Sequence, residues 1–173
     1  LLGALKAVVD SGVELPVDCH PLFTISEEVG SGASAILHGD IAEMLTLDNG
    51  TTAPGQNSSE YGVTICMADM SGPFDYHLTH RMLQICQEFE IPHQRDIFRY
   101  YRSDSAAAVE AGNDLRTALA TFGVDASHGW ERIHWNALES LAQLVAVYMQ
   151  SPPLFERDRV NTGPPATSPV TTP

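Results

Sequence analysis

Apolar positions along this chain follow two periods, and the switches between them mark out its elements. Leu1, Leu5, Val8 and Val9 fall near a 3.6-residue spacing, which predicts a helix at the start. "HPLFTISE", His20 to Glu27, is a short apolar run expected to form a buried strand. "GASAILHGD" (32–40) follows as a short helix opened by glycine. "AEMLTLDNG" predicts a second strand ending at Asp48, and "TTAPGQNSSEYG" (51–62) is a turn-rich loop. "VTICMAD" (63–69), β-branched and apolar, predicts a third strand. From Asp75 to Glu90, the residues Leu78, Met82, Ile85, Cys86 and Phe89 lie on one helical stripe. "HQRDIFRY" (93–100) returns to strand character. "SDSAAAVEAG" (103–112) is a short helix with a capping start and a closing glycine. "LRTALATFGV" (115–124) predicts the last strand. "NALESLAQLVAVYMQ" predicts a long final helix with Asn136 as its N-cap.

Alternating helices and strands predict an α/β domain over residues 1–150, with a mixed, largely parallel sheet covered by helices on both faces. Ligands of such sheets gather at the carboxyl ends of strands, and Glu27, Glu28 and Asp48 all fall at predicted strand ends. Residues 151–173, "SPPLFERDRVNTGPPATSPVTTP", are rich in Pro, Thr and Ser and poor in large apolar residues. Such a segment buries too little surface to offset its ordering entropy, so a mobile tail is expected. The chain begins within a helical pattern and without Met. It is therefore expected to be the C-terminal part of a longer protein.

Charge narrows the functional classes. A formal net charge of −13 leaves no basic surface for a nucleic acid, which requires clustered Lys and Arg. No apolar run approaches the ~20 residues that a membrane-spanning helix needs. Cys19, Cys66 and Cys86 are scattered with no C-x-x-C, so reduced, buried thiols in a cytoplasmic setting are expected.

The chemistry concentrates in "FTISEEVGSG" (23–32), where two glutamates stand side by side as the chain runs into glycines. Like charges held in one cleft call for a cation or a shared proton between them. Glu28, Asp48 and His134 offer the carboxylate and imidazole donors that divalent metals take. Glu27 is left beside them to carry a proton. The same glutamates would equally suit a solvated loop or a first helical turn. His134, in "ERIHWN", would equally suit a hydrogen-bonded position at a helix start. Asp104 has the place of a helix cap. His77 and His80 share a helix face without an H-E-x-x-H pattern, which points to surface or interface. His20, His38 and His128 carry no pattern at this level. The chain has neither a G-x-S-x-G elbow nor a phosphate-binding loop.

Taken in order, "FTISEEVGSGA", "TLDNGTTAPG", "SGPFDYHLTHRMLQICQEFEIPHQRDI", "RSDSAAA" and "ERIHWNALESL" resemble the C-terminal half of the tetrahedral-assembly aminopeptidases. These dinuclear metallopeptidases are also called deblocking or glutamyl aminopeptidases. The resemblance covers residues 1 to about 150. It implies that Glu27 is the general base and acid, that Glu28 and His134 hold one metal, and that Asp48 holds the other. The two metals would be zinc or cobalt. The family's remaining ligands, a His-x-Asp motif and a bridging Asp, would lie upstream, as would its smaller inserted β-domain. The resemblance also implies a homo-oligomer, possibly a dodecamer. Where typical members carry "GGTDA", this chain has "YYRSDSA" (100–106). Tyr101, Arg102 and Asp104 are thereby expected at the substrate. That departure resembles the subgroup associated with the osmoprotectant N-acetylglutaminylglutamine amide, and implies a small peptide or blocked dipeptide as substrate. A second reading stays open beside it: a non-catalytic fragment or assembly subunit lacking a complete metal site.

Overall fold

The computed structural model describes residues 1–37 and 40–153. Most of the predicted tail (154–173) and the end of the predicted "GASAILHGD" helix (38–39) lie outside the described residues. The elements in order are α1 (Leu2–Ser11), β1 (Glu43–Thr51), β2 (Val63–Asp69), β3 (Gly72–Pro73), α2 (Tyr76–Glu88), β4 (His93–Phe98), α3 (Asp104–Glu110), β5 (Arg116–Asp125), β6 (Arg132–Ile133) and α4 (Trp135–Met149).

The central sheet runs β1-β5-β2-β4. β5 is parallel to β1 and antiparallel to β2, and β4 is parallel to β2. β3 and β6 are two-residue antiparallel additions to β2 and β5. The expected mixed α/β sheet flanked by helices is therefore present. Because side chains alternate along a strand, register assigns each residue to a face. Leu45, Leu47, Ala118, Ala120, Val63 and Ile65 share one face, packed against α2, α4 and α1 in the main core. The opposite face carries Thr46, Asp48, Gly50, Leu119, Thr121, Thr64, Cys66 and Asp96. This polar face is only partly covered, by α3 and the segments before β1.

Local chemistry explains the helix starts. Asp75 caps α2 by accepting the Leu78 N–H at 2.8 Å, and pairs with Arg116 of β5 at 2.6 Å. α2 buries Leu78, Met82, Leu83, Ile85 and Cys86, whereas Phe89 falls past its last turn and is exposed. Tyr148 near the end of α4 donates to Glu43 at the start of β1, 2.7 Å away. α1 buries Ala4 and Val8, and Val9 points outward.

Four local expectations are corrected. His20–Glu27 is not a strand: most of it is exposed, with Ile25 nearly fully so, and among the described residues only Ser26 forms a bridge, to Ser31. A short 3₁₀ turn, Glu27–Val29, stands at its end instead. The helix expected over 32–40 contracts to a 3₁₀ turn, Ala33–Ala35, because glycines on either side leave too few residues to propagate it. β1 does not end at Asp48 but pairs with β5 as far as Thr51 and Val124. Finally, α4 is capped by His134, whose Nδ1 accepts the Asn136 N–H at 3.1 Å, rather than by Asn136. Among the described residues, no helix is long and apolar enough to cross a membrane.

Candidate active site

The uncovered part of the polar sheet face is the floor of a cleft of about 550 Å³. Asp48 enters it from β1, and Phe98 and Leu119 form its apolar base over Cys66. Glu27 and Glu28 reach it from the 3₁₀ turn. That turn is closed by Gly30 in the left-handed region at φ 83° and pinched by Ser31 N–H donating to Ser26 O at 3.0 Å. Tyr100, Tyr101, Arg102 and Glu110 also line the cleft, together with the buried Asp69 and Asp104.

Electrostatics confirm that these groups feel one another. Burial, then repulsion from Asp48, Glu28 and Asp104, raises the Glu27 carboxyl above its ordinary value. Burial, followed by Glu28 and Asp104, also raises Asp48. The Asn49 N–H, donated to Asp48 Oδ1 at 2.7 Å, and His128 pull it partly back. For both carboxylates burial and neighbouring negative charge outweigh the opposing pull of His128.

The wall is built on two buried carboxylates. Asp69, at the end of β2, accepts from Ser71 N–H at 2.7 Å and from the backbone N–H and hydroxyl of Ser103 at 3.0 and 3.3 Å. Met70 N–H donates to Tyr101 O at 2.9 Å, so the segment bearing Tyr101 and Arg102 is tied down on both sides. Arg102 Nη2 meets Glu110 Oε2 at 2.6 Å on the rim, an exposed ion pair. Asp104 is the first residue of α3 and not its cap. Its two oxygens accept the Ala33 N–H at 2.8 and 3.0 Å.

The imidazole at the cleft is His128, on the loop after β5. Its backbone sits in the left-handed region at φ 62°, uncommon for a residue with a side chain, and its N–H donates to Glu131 Oε1 at 2.9 Å. Ser127 Oγ donates to Asn49 Oδ1 at 3.2 Å and draws this loop to the end of β1. His134 does not line the cleft: it caps α4 and its ring lies 4.8 Å from that of Tyr61. His128 carries no pattern in the sequence, and its place just beyond the carboxyl end of β5 is what brings it to the cleft.

Hard carboxylate oxygens and one imidazole facing a single cleft fit a divalent cation in chemistry and in charge. Glu28, Asp48 and His128 are the residues that could hold it. Among the described residues, no three His, Cys, Asp or Glu side chains stand close enough to hold an ion as they are. All three cysteines are free, and Cys66 and Cys86 are buried away from this role.

Comparison with known proteins bears on the chain's family and fold. The profile of the M42 glutamyl aminopeptidase family matches residues 1–144. YhfE of Bacillus subtilis, a provisionally assigned aminopeptidase, is 37% identical over 152 residues, which cover 88% of this chain and 44% of YhfE. An aminopeptidase of the archaeon Desulfurococcus kamchatkensis shares the fold with a TM-score of 0.73 at 20% identity, over 87% of this chain and 46% of that one. The TET peptidase of Pyrococcus horikoshii, which can assemble into a tetrahedron or a large octahedral shell, gives 0.66 at 20% identity over 84% and 46%. The chain thus spans less than half the length of the relatives it matches. The family match over most of the chain, on a sheet whose polar face gathers carboxylates, places this chain in the M42 glutamyl aminopeptidase family.

Proposed function

We propose that this chain supplies the carboxylate half of a metal-dependent peptidase site that hydrolyses amide bonds in small peptides. The observation that carries the proposal is the convergence of Glu27, Glu28, Asp48 and His128 on one cleft, with two of the carboxylates pushed toward protonation. Glu28, Asp48 and His128 would hold divalent cations, two in the whole enzyme and of zinc or cobalt type, with His128 taking the place expected for His134. When bound, such cations supply Lewis-acid polarisation of the scissile carbonyl and of the attacking water. Glu27, which is left without a ligand role, accepts the proton of that water and returns it to the departing nitrogen. Tyr101 and Arg102 line the wall where the substrate's far end would lie, and Arg102 offers planar donors for a carbonyl or carboxylate.

The cleft has room for a small peptide, and the Tyr-Tyr-Arg wall, which departs from the family's glycine-rich stretch, is the feature behind a blocked dipeptide as the proposed substrate. A homo-oligomer, with the dodecamer as its expected form, follows from the relatives' assemblies. Free thiols suit a reducing compartment such as the cytoplasm. The separation of the ligands among the described residues favours a second reading, in which this polypeptide alone is a non-catalytic part of the enzyme. Glu27→Gln in the whole protein tests the main proposal. Turnover of short peptides should vanish with zinc content unchanged. Wild-type turnover in E27Q would remove the proposed base. The 173-residue chain by itself should show no hydrolysis.

A further inference from the structure

The Glu27–Val29 turn has little of its own to hold it. It is three residues long, has no side-chain cap, and leaves Val29 and the preceding Ile25 largely in water. Yet its carboxylates must keep a fixed distance from Asp48, which stands on a rigid strand. The link between them runs through Asp104. Its carboxylate is 95% buried and both oxygens accept one N–H, that of Ala33, across 71 positions of sequence. The chain is pressed onto it so closely that a Cβ on Gly32 would lie 2.2 Å from Asp104 Oδ1. On its other side, α3 is fixed to the sheet by the hydroxyl pair of Ser105 and Thr46, with Thr46 two residues from Asp48 on the same strand face. Asp69 holds Ser103, the residue before Asp104.

We infer that Asp104 is a positioning residue that fixes the Glu27–Glu28 turn against the Asp48 strand, and not a ligand of the substrate. The inference rests on the peptidase reading only for what the turn is positioned to do. Asp104 borders the cleft, but both its oxygens already accept the Ala33 N–H, so the backbone occupies the acceptors that a substrate would need. An N–H shared by two carboxylate oxygens is a charge-assisted contact, and such contacts fix geometry as well as add energy.

The test compares Asp104→Ala, Asp104→Asn and Gly32→Ala in the whole protein by three measurements: hydrogen exchange of the Ala33 amide, calorimetric titration with zinc, and steady-state hydrolysis. Asp104→Ala is expected to speed Ala33 exchange and to weaken zinc about tenfold, as loss of an outer partner does. It should lower kcat with KM unchanged. Asp104→Asn keeps one acceptor oxygen for Ala33 but loses the charge and the second acceptor, and should fall between wild type and Asp104→Ala in all three. Gly32→Ala keeps the carboxylate but forces it off Ala33, and should resemble Asp104→Ala. If Asp104→Ala does not fold, the contrast between Asp104→Asn and Gly32→Ala decides. A rise in KM with kcat preserved would overturn the inference by placing Asp104 on the substrate. So would unchanged exchange and zinc affinity in Asp104→Ala, or an Asp104→Asn as impaired as Asp104→Ala. If the wild-type protein binds zinc but cleaves no peptide, the peptidase reading falls, while exchange and affinity still judge Asp104.

Discussion

His128 and His134 offer a double dissociation whose size can be worked from their surroundings. His134 accepts one N–H at the start of α4 and touches Tyr61 at a tilted 53° on the surface. Replacing it by Ala removes the cap, which costs about 1 kcal/mol, with at most ~0.5 kcal/mol more from the exposed ring pair. For a chain of this size that is a fall in Tm of about 2–6 °C. It should leave zinc affinity alone. His128→Gly does the reverse. Its backbone at φ 62° is strained for any side chain, and Gly relieves ~1–2 kcal/mol of that strain while losing ~0.5–1 kcal/mol to added entropy of the unfolded chain. Stability in chelator should therefore be unchanged or slightly raised. Zinc affinity should fall by at least the ~10–100-fold that loss of a mere outer partner costs. Thermal unfolding in chelator and calorimetric zinc titration of the whole protein read the two effects separately. A His134→Ala variant with weakened zinc, beside a His128→Gly variant that binds normally, would refute the reasoning.

Three further outcomes are expected. Asp96, on β4, accepts the N–H groups of Asn57 and Ser58 at 2.8 Å and the Gln56 side chain at 2.9 Å. Asp96→Ala orphans these donors and should cost about 3–4 kcal/mol in urea unfolding; a loss below ~1 kcal/mol would show that water replaces the carboxylate freely. The raised pKa values of Glu27 and Asp48 mean that the folded state holds their protons more tightly than the unfolded chain. Their stabilising contribution is fully present below the ordinary carboxylate value of about 4 and is lost as pH rises through the raised values. In chelator, wild type should therefore gain more Tm on acidification from neutral pH than Asp48→Asn does, and added zinc should restore stability at neutral pH; equal pH profiles would count against the coupling. Burial pushes the Cys66 and Cys86 thiols up to about 12, so at pH 8 only about one in ten thousand is thiolate. Iodoacetamide should label Cys19 well before either, and rapid labelling of all three in the native protein would contradict their burial.

The legible parts of the fold are those in which local pattern and tertiary burial agree. β2 was readable to the residue because a β-branched apolar run lies in the middle of the sheet, where Val63, Ile65 and Cys66 are fully buried. α2 was readable because its stripe faces the core and Asp75 supplies a cap. "HPLFTISE" misled for the opposite reason. Its apolar residues suggest burial, but Phe23 and Ile25 are exposed and, among the described residues, only its Ser26 forms a bridge, to Ser31. An apolar run specifies a strand only if a sheet has an open edge for it, and that edge is a property of the rest of the fold.

The site was legible in its residue types and less so in its membership, for a related reason. The paired glutamates stand out by their residue type, although the pair alone would equally suit a solvated loop. Histidine identity is harder, since seven occur in the chain and each can cap, pack or ligate. What brings His128 to the cleft is that β5 lies parallel and adjacent to β1, in register from Glu43 and Arg116 to Thr51 and Val124. Two parallel neighbours deliver their carboxyl ends to the same edge of the sheet, so the loop after β5 must open beside Asp48. His134 lies beyond β6, which pairs back antiparallel on β5 and carries the chain away to begin α4. No local pattern reports that pairing, because it joins segments more than seventy residues apart. Had the last predicted strand been placed beside the one bearing Asp48, the strand-end rule that singled out the carboxylates would have picked out His128 by the same logic.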